Sequence, residues 1–283
     1  MLVTADRVFG GHLYVRNGKI AAISDDGTLP AREELDAAGL YVLPGMLDCH
    51  AHINDPGFTW REDLPHASEA AAVGGVTTLI DMPLQNTPPL TSADAFANKL
   101  AVFEGRSLVD YALWGGLVTD NAAELAGMDA AGAVGFKAFI APVSLGYSSV
   151  DMGLAREALF RIKAFGGLAG FHCEDHALIC AGEAKAKAGG GTRRAFLDSR
   201  PVVAEVIATA NVIELARETG ARVHICHVSH PRVAELVRRA QADGLSVTGE
   251  TCPHYLVFTE ENLLLCGTVF KCAPPLRTAE ARD

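Results

Sequence analysis

The chain has 283 residues, 49% of them hydrophobic and 20% charged, with a formal net charge of −10. This length fits one large domain, alone or with a small accessory piece, and the apolar content excludes a disordered chain, which could not offset its ordering entropy. The acidic balance repels phosphate backbones, and the apolar runs break short of the ~20 residues a membrane span needs, so neither nucleic acid nor membrane is expected as a partner.

The first 15 residues lack a basic start followed by an apolar core and a small-residue cleavage site, so no secretory leader is read there. The cysteines are seven in number, scattered and without CxxC spacing, which suits thiols in a reducing cytoplasm. Up to about residue 43 the chain holds short β-type runs, with Asn17-Gly18 as a hairpin turn between two of them. Residues 1–43 are therefore read as a separate small β module.

From Tyr41 onward, short apolar runs alternate with alanine-rich stretches. The runs predict strands over residues 41–49, 76–82, 110–117, 134–140, 168–173, 223–228 and 246–251. Between them, helices are predicted over residues 67–73, 93–103, 154–165, 202–219 and 231–242. Residues 184–191, AKAKAGGG, read as a mobile surface loop. Near-continuous apolar strands that each precede a helix imply an α/β fold with a parallel sheet, and a series this long suggests a (β/α)8 TIM barrel. Strands one to seven of such a barrel are present over residues 44–283, and the eighth is lacking.

Polar groups with metal-binding chemistry fall at the C-terminal ends of these strands, where barrels build their sites. His50 and His52 share one strand face because side chains alternate with period two. They are either two ordinary hydrogen-bonded histidines or a pair converging on one cation. Lys137 lies in the apolar run Val134-Gly-Phe-Lys-Ala-Phe-Ile140, where an unpaired charge is costly. It can reach solvent, form a Schiff base, or be carbamylated by CO2 and bridge two metals. His172 and His227 each close an apolar strand. Alternation places His224 on the opposite strand side from His227, and the thiols of Cys49, Cys173 and Cys226 toward the helix layer. His66, His176, His230 and His254 are weaker candidates.

This constellation resembles the amidohydrolase superfamily, in its cyclic-amidase branch of dihydroorotases, hydantoinases and allantoinases. The resemblance rests on Leu43-Pro-Gly-Met-Leu-Asp-Cys-His-Ala-His52, Gly74-Gly-Val-Thr-Thr78, Gly135-Phe-Lys137, Glu250-Thr-Cys-Pro-His-Tyr255 and Phe270-Lys-Cys-Ala-Pro-Pro-Leu-Arg277, along nearly the whole chain. It implies that His50 and His52 hold one divalent metal, that carbamylated Lys137 bridges a pair of metals, Zn2+ first among them, and that His172 and His227 hold the second. It also implies that residues 1–43 are part of a small β-sandwich, and that the full-length protein is a homo-oligomer. The implied reaction is opening of a small cyclic amide or ureide by a metal-bridging hydroxide, with Asn54 and Ala273 contacting substrate.

Dihydroorotases typically carry Arg in the place of Asn54, suited to a substrate carboxylate, so Asn54 favours a neutral, amide-rich ring. Asn54 also suits the start of the Asp55-Pro56-Gly57 turn. Trp60 with Glu62-Asp63, Asp81-Met-Pro-Leu-Gln-Asn-Thr-Pro-Pro89 and Trp114-Gly-Gly-Leu117 look most like allantoinase, which converts allantoin to allantoate. Pro142 stands where hydantoinases carry a tyrosine, and the sequence leaves open whether nearby Tyr147 or Ser144 takes its place. Dihydroorotase, hydantoinase or dihydropyrimidinase, and a non-catalytic binding protein of the same fold are the alternatives. The family's catalytic Asp, at the end of the eighth strand, has no counterpart before residue 283, and neither Asp48 nor Asp81 replaces it by motif. Weak or absent turnover by this chain is the resulting expectation.

Overall fold

The computed structural model describes residues 1–143 and 147–283. Near the N-terminus, β1 (Leu2–Val3) pairs antiparallel with β2 (Val8–Phe9), and β3 (His12–Arg16) with β4 (Lys19–Ser24). Asn17 and Gly18 both have positive φ in the β3–β4 turn, as its tight geometry demands. A bridge from Leu2 to Val42 ties this module to the approach of the next strand.

A run of parallel strands follows in sequence order. β5 (Met46–Ala51), β6 (Val76–Asp81) and β7 (Asp110–Leu113) form one sheet. β8 (Gly115–Gly116), β9 (Phe136–Phe139), β10 (Leu168–His172), β11 (Arg222–Ile225) and β12 (Val247–Gly249) form the next. Trp114 joins them: its backbone N–H donates to the Asp81 carbonyl, while the Gly115 backbone N–H already donates to the Gly135 carbonyl. The two sheets therefore trace one series in which each predicted strand finds a counterpart. The sheet curls far enough that Glu250, just after β12, touches His50 on β5. This is the α/β, TIM-barrel type of arrangement expected from the alternating pattern.

Six helices cover the outer face: α1 (Leu64–Val73), α2 (Ala93–Phe103), α3 (Leu125–Ala130), α4 (Met152–Ala164), α7 (Val202–Thr219) and α8 (Pro231–Ala242), while α5 (His176–Ala188) and α6 (Arg193–Asp198) pack on each other in the connection after β10, with Glu183 of α5 at the cavity wall. Their starts follow from capping side chains. Asp63, Ser92, Asp151, Asp175 and Thr192 each accept a backbone N–H of the first turn. Val223 and Ile225 of β11, Ala169 and Phe171 of β10, and Val212 and Ala216 of α7 share the main apolar core, which lies between sheet and helices.

The loop expected over residues 184–191 is a helix for most of its length, since α5 continues to Ala188. Alanine and lysine are strong helix formers, and Lys185 and Lys187 in the last turn oppose the helix dipole. Only the glycines leave it.

Gly135 shows how tightly the interior is filled. A Cβ there would lie 2.4 Å from the Trp114 ring. Gly135→Ala is expected to destabilise by roughly 1–3 kcal/mol through overpacking, read as a lower urea midpoint with unchanged slope. An unchanged midpoint would show that Trp114 can move aside freely.

Candidate metal centre

His50 and His52 stand at the end of β5, Lys137 on β9, His172 at the end of β10 and His227 two residues past β11. All five line one cavity of about 760 Å³, together with Asn54 and Ala273. The imidazoles form a continuous array, with centroids 5.3 Å apart for His50–His52, 5.3 Å for His50–His227 and 4.7 Å for His172–His227. Phe139 stacks on His172 at 5.0 Å and walls one side.

Local geometry explains how each side chain arrives. Alternation along β10 sends Phe171 to the helix layer and His172 inward. Alternation holds along β11 and fails just past it. Val223 and Ile225 pack outward, so His224 and Cys226 face inward and the next residue should turn away. His227 instead adopts φ 42°, which rotates its side chain back into the cavity. The expectation that His224 and His227 lie on opposite sides is thus corrected: both are interior, at different depths. His224 sits lower, with Nδ1 2.8 Å from Thr248 Oγ1 and Nε2 3.4 Å from Glu250.

The reading of the thiols is corrected in the same way. Cys173 packs into the apolar core outside the sheet, as alternation requires. Cys49 Sγ, however, lies 3.1 Å from Glu250 Oε2, and Cys226 approaches His50 and Glu250. The weaker histidine candidates have other partners or other surroundings. His66 bonds Asp63, His176 opens α5, His230 caps α8, and His254 packs against Tyr255.

Burial depresses the basicity of all four clustered imidazoles. Desolvation takes His52 down to about 3, lowers His50 and His172, and holds His227 well below the ordinary range. They are neutral at physiological pH, the state in which a ring nitrogen can bind metal. Lys137 is 1% exposed, and its Nζ has no hydrogen-bond partner among the described residues; His227 Nδ1 is also buried and partnerless. A buried amine in this condition calls for a group that neutralises or ligates it. Four neutral imidazoles around one such lysine form a donor set that suits divalent transition metals.

Sequence reasoning missed two carboxylates. Glu250 contacts His50 Nδ1, and Glu174 Oε2 lies 2.7 Å from His172 Nε2. Burial works against ionisation of both. Hydrogen bonds from His224 and His50 nevertheless hold Glu250 far below the usual carboxylate range, and those from His172 with the Arg200 charge lower Glu174. The clue for Glu250 was its place directly after an apolar strand; Glu174 stands two residues from His172.

Tyr147 donates its hydroxyl to the Lys137 carbonyl at 2.6 Å and is buried, so it braces β9 and does not stand in for the hydantoinase tyrosine. Ser144 lies outside the described residues. Asn54 does two jobs. Its carbonyl accepts the Phe58 N–H in the turn, while its side-chain amide reaches toward Gln85 at 3.4 Å on the cavity wall.

The sequence pattern of a family described as Dihydro-orotase-like matches residues 39–232. The chain belongs to the dihydro-orotase-like family. Within this branch of cyclic amidohydrolases it is 40% identical over 285 aligned residues to an allantoinase of Solibacter usitatus, an alignment that takes in 100% of the chain and 62% of the relative. It is 39% identical to an allantoinase of Escherichia coli K12, over 95% of the chain and 60% of that protein. Among solved structures, the L-hydantoinase (dihydropyrimidinase) of Arthrobacter aurescens superposes with a TM-score of 0.95 at 38% identity, covering 99% of the chain and 63% of that structure. The chain thus spans about three fifths of the length of the relatives it matches. The amidohydrolase family in general depends on divalent metals, which agrees with the donor set in this member.

Proposed function

We propose that the protein hydrolyses a cyclic ureide, allantoin to allantoate, as a cytoplasmic step of purine breakdown. The observation that carries this reading is Lys137, buried and without a hydrogen-bond partner among the described residues, amid four neutral imidazoles in a chain 40% identical to an allantoinase. His50 and His52 would hold one metal and His172 and His227 a second, with Zn2+ the first choice for such ligands. Lys137 would join the two as a carbamate. In that modification the amine adds to the carbon of CO2 and loses a proton, converting a cation into an anionic oxygen donor. When bound, the metals supply Lewis acidity that polarises a carbonyl and lowers the pKa of water.

The chain's own residues hold the ring. Asn54 and Gln85 present neutral amide groups, Arg61 adds a cation at the wall, and Ala273 leaves room. Neutral amides complement the alternating N–H and C=O groups of a ureide. Overall, water adds across one ring C–N bond: its oxygen joins the carbonyl carbon, the ring nitrogen takes a proton, and a ureido acid leaves. The hydantoinase or dihydropyrimidinase reaction is the second reading, supported by the close superposition on the Arthrobacter enzyme. We also propose a homo-oligomer, tetramer or dimer, for the full-length protein, to be read by light scattering.

The test is binding and ring opening with allantoin, hydantoin, dihydrouracil and dihydroorotate after Zn2+ and bicarbonate loading. Allantoin should bind tightest and be opened fastest. Preference for dihydroorotate, or no interaction with any ring, would overturn the reading. Asn54→Arg should lower kcat/KM for allantoin by ~10-fold or more and improve relative binding of the carboxylate-bearing ring, since a guanidinium pairs with a carboxylate bidentately. An unchanged ranking would remove Asn54 from the specificity argument.

A further inference from the structure

Two carboxylates approach the imidazole array from different strands, and each takes a different ring nitrogen. Glu250, after β12, contacts Nδ1 of His50. Its position is over-determined: Oε1 also accepts the His227 N–H at 3.3 Å, and Oε2 lies 3.1 Å from Cys49 Sγ and 3.4 Å from His224 Nε2. Glu174, after β10, takes Nε2 of His172 at 2.7 Å. Glu174 is fully buried and is held by Arg200, which donates from Nη1 to the same oxygen and from Nη2 to Glu183 at 2.7 Å.

Arg200 is anchored in turn. Arg277, in the Pro-Pro-Leu-Arg segment, donates to the Arg200 carbonyl at 2.7 Å and to Glu205 at 3.0 Å, and its Nε bonds Ser229 at 2.9 Å. A motif distant in sequence thereby fixes the carboxylate that fixes His172.

An ionised carboxylate only accepts; Arg200 holds Glu174 in that form, and Glu250 is met by the His227 N–H and the Cys49 thiol, so the ring nitrogen facing each carries the hydrogen. From these contacts we infer that Glu250 and Glu174 are positioning residues that set opposite tautomers, leaving the lone pair of His50 on Nε2 and that of His172 on Nδ1. Each free nitrogen lies across its ring from the carboxylate, and both rings line the cavity that holds His227 and Lys137. The carboxylates would also lock ring orientation and raise ligand basicity, as partners of metal-binding histidines do. The consequence for metal loading rests on the function proposed above. The tautomers do not.

The experiment is long-range proton–nitrogen correlation on the metal-free protein labelled with 15N-histidine, with the His50 and His172 signals assigned by His50→Gln and His172→Gln. The expected result is Nδ1–H for His50 and Nε2–H for His172. Glu250→Ala and Glu174→Ala should each release the tautomer of their own histidine only, and weaken Zn2+ in chelator competition by about 10–100-fold. Glu174→Gln and Glu250→Gln, which keep an acceptor oxygen, should recover part of both losses. Observation of His172 as Nδ1–H, or of the same tautomers after removal of the carboxylates, would overturn the inference. The unmutated protein decides the first point even where a variant fails to fold. The correct tautomers without preferential binding of allantoin would count against the proposed reaction alone.

Discussion

Lys137→Ala should reduce metal affinity by more than ~100-fold while leaving the metal-free fold as stable as before, or more so. Removal of a partner behind a ligand already costs about 10–100-fold, and Lys137 is proposed as one of the ligands themselves. The stability expectation has the opposite origin. Its Nζ is buried without a partner among the described residues, so the unmodified amine contributes desolvation cost and no compensating bond. Zinc titration and thermal unfolding of the metal-free protein read the two effects separately. Metal loading of the natural chain should also rise with bicarbonate, whereas Lys137→Glu, which already supplies a carboxylate, should load independently of it. Equal affinity and stoichiometry in Lys137→Ala would rule out the bridging role.

Lys99→Met should produce a large loss of stability, about 3–5 kcal/mol, because it leaves the fully buried Asp81 carboxylate without its ion-pair partner. Lys99, on α2, also donates to the Ile53 carbonyl at 3.0 Å and to Asn86 Oδ1 at 2.6 Å, while Asp81 accepts the Ile53 N–H. This unit clamps both sides of the residue following His52. The cost should therefore extend to the site as weaker metal binding. Urea unfolding of Lys99→Met, Asp81→Asn and the double variant forms a cycle, and the double variant should recover most of the single Lys99→Met loss. Purely additive losses would show that the pair contributes through packing and not through its buried charges.

Much of the architecture was legible along the chain. Each predicted strand lies where a short apolar run ends in a polar group, because a strand covered by helices must be apolar on both faces. α7 and α8 match their expected limits, since apolar periodicity and the breaks at Gly220 and Gly244 are local signals. That His50 and His52 share one side followed from alternation alone. The placement of His227 did not, because a positive φ reverses the side its ring would take. The run at residues 184–191 misled because its glycines suggested a loop, while its alanines and lysines complete a helix.

The order of strands and helices and the kinds of donor at their ends were written locally along the chain, because propensity, capping and period act over a few residues. Which groups meet emerged with the packed fold. Glu250 reaches His50 across 200 positions of sequence, and Arg277 reaches Arg200 across 77. Such pairings depend on how far the sheet curls, which is a sum over all its strands and leaves no mark in any one segment. The ring nitrogen that each histidine keeps free is therefore a property of the fold.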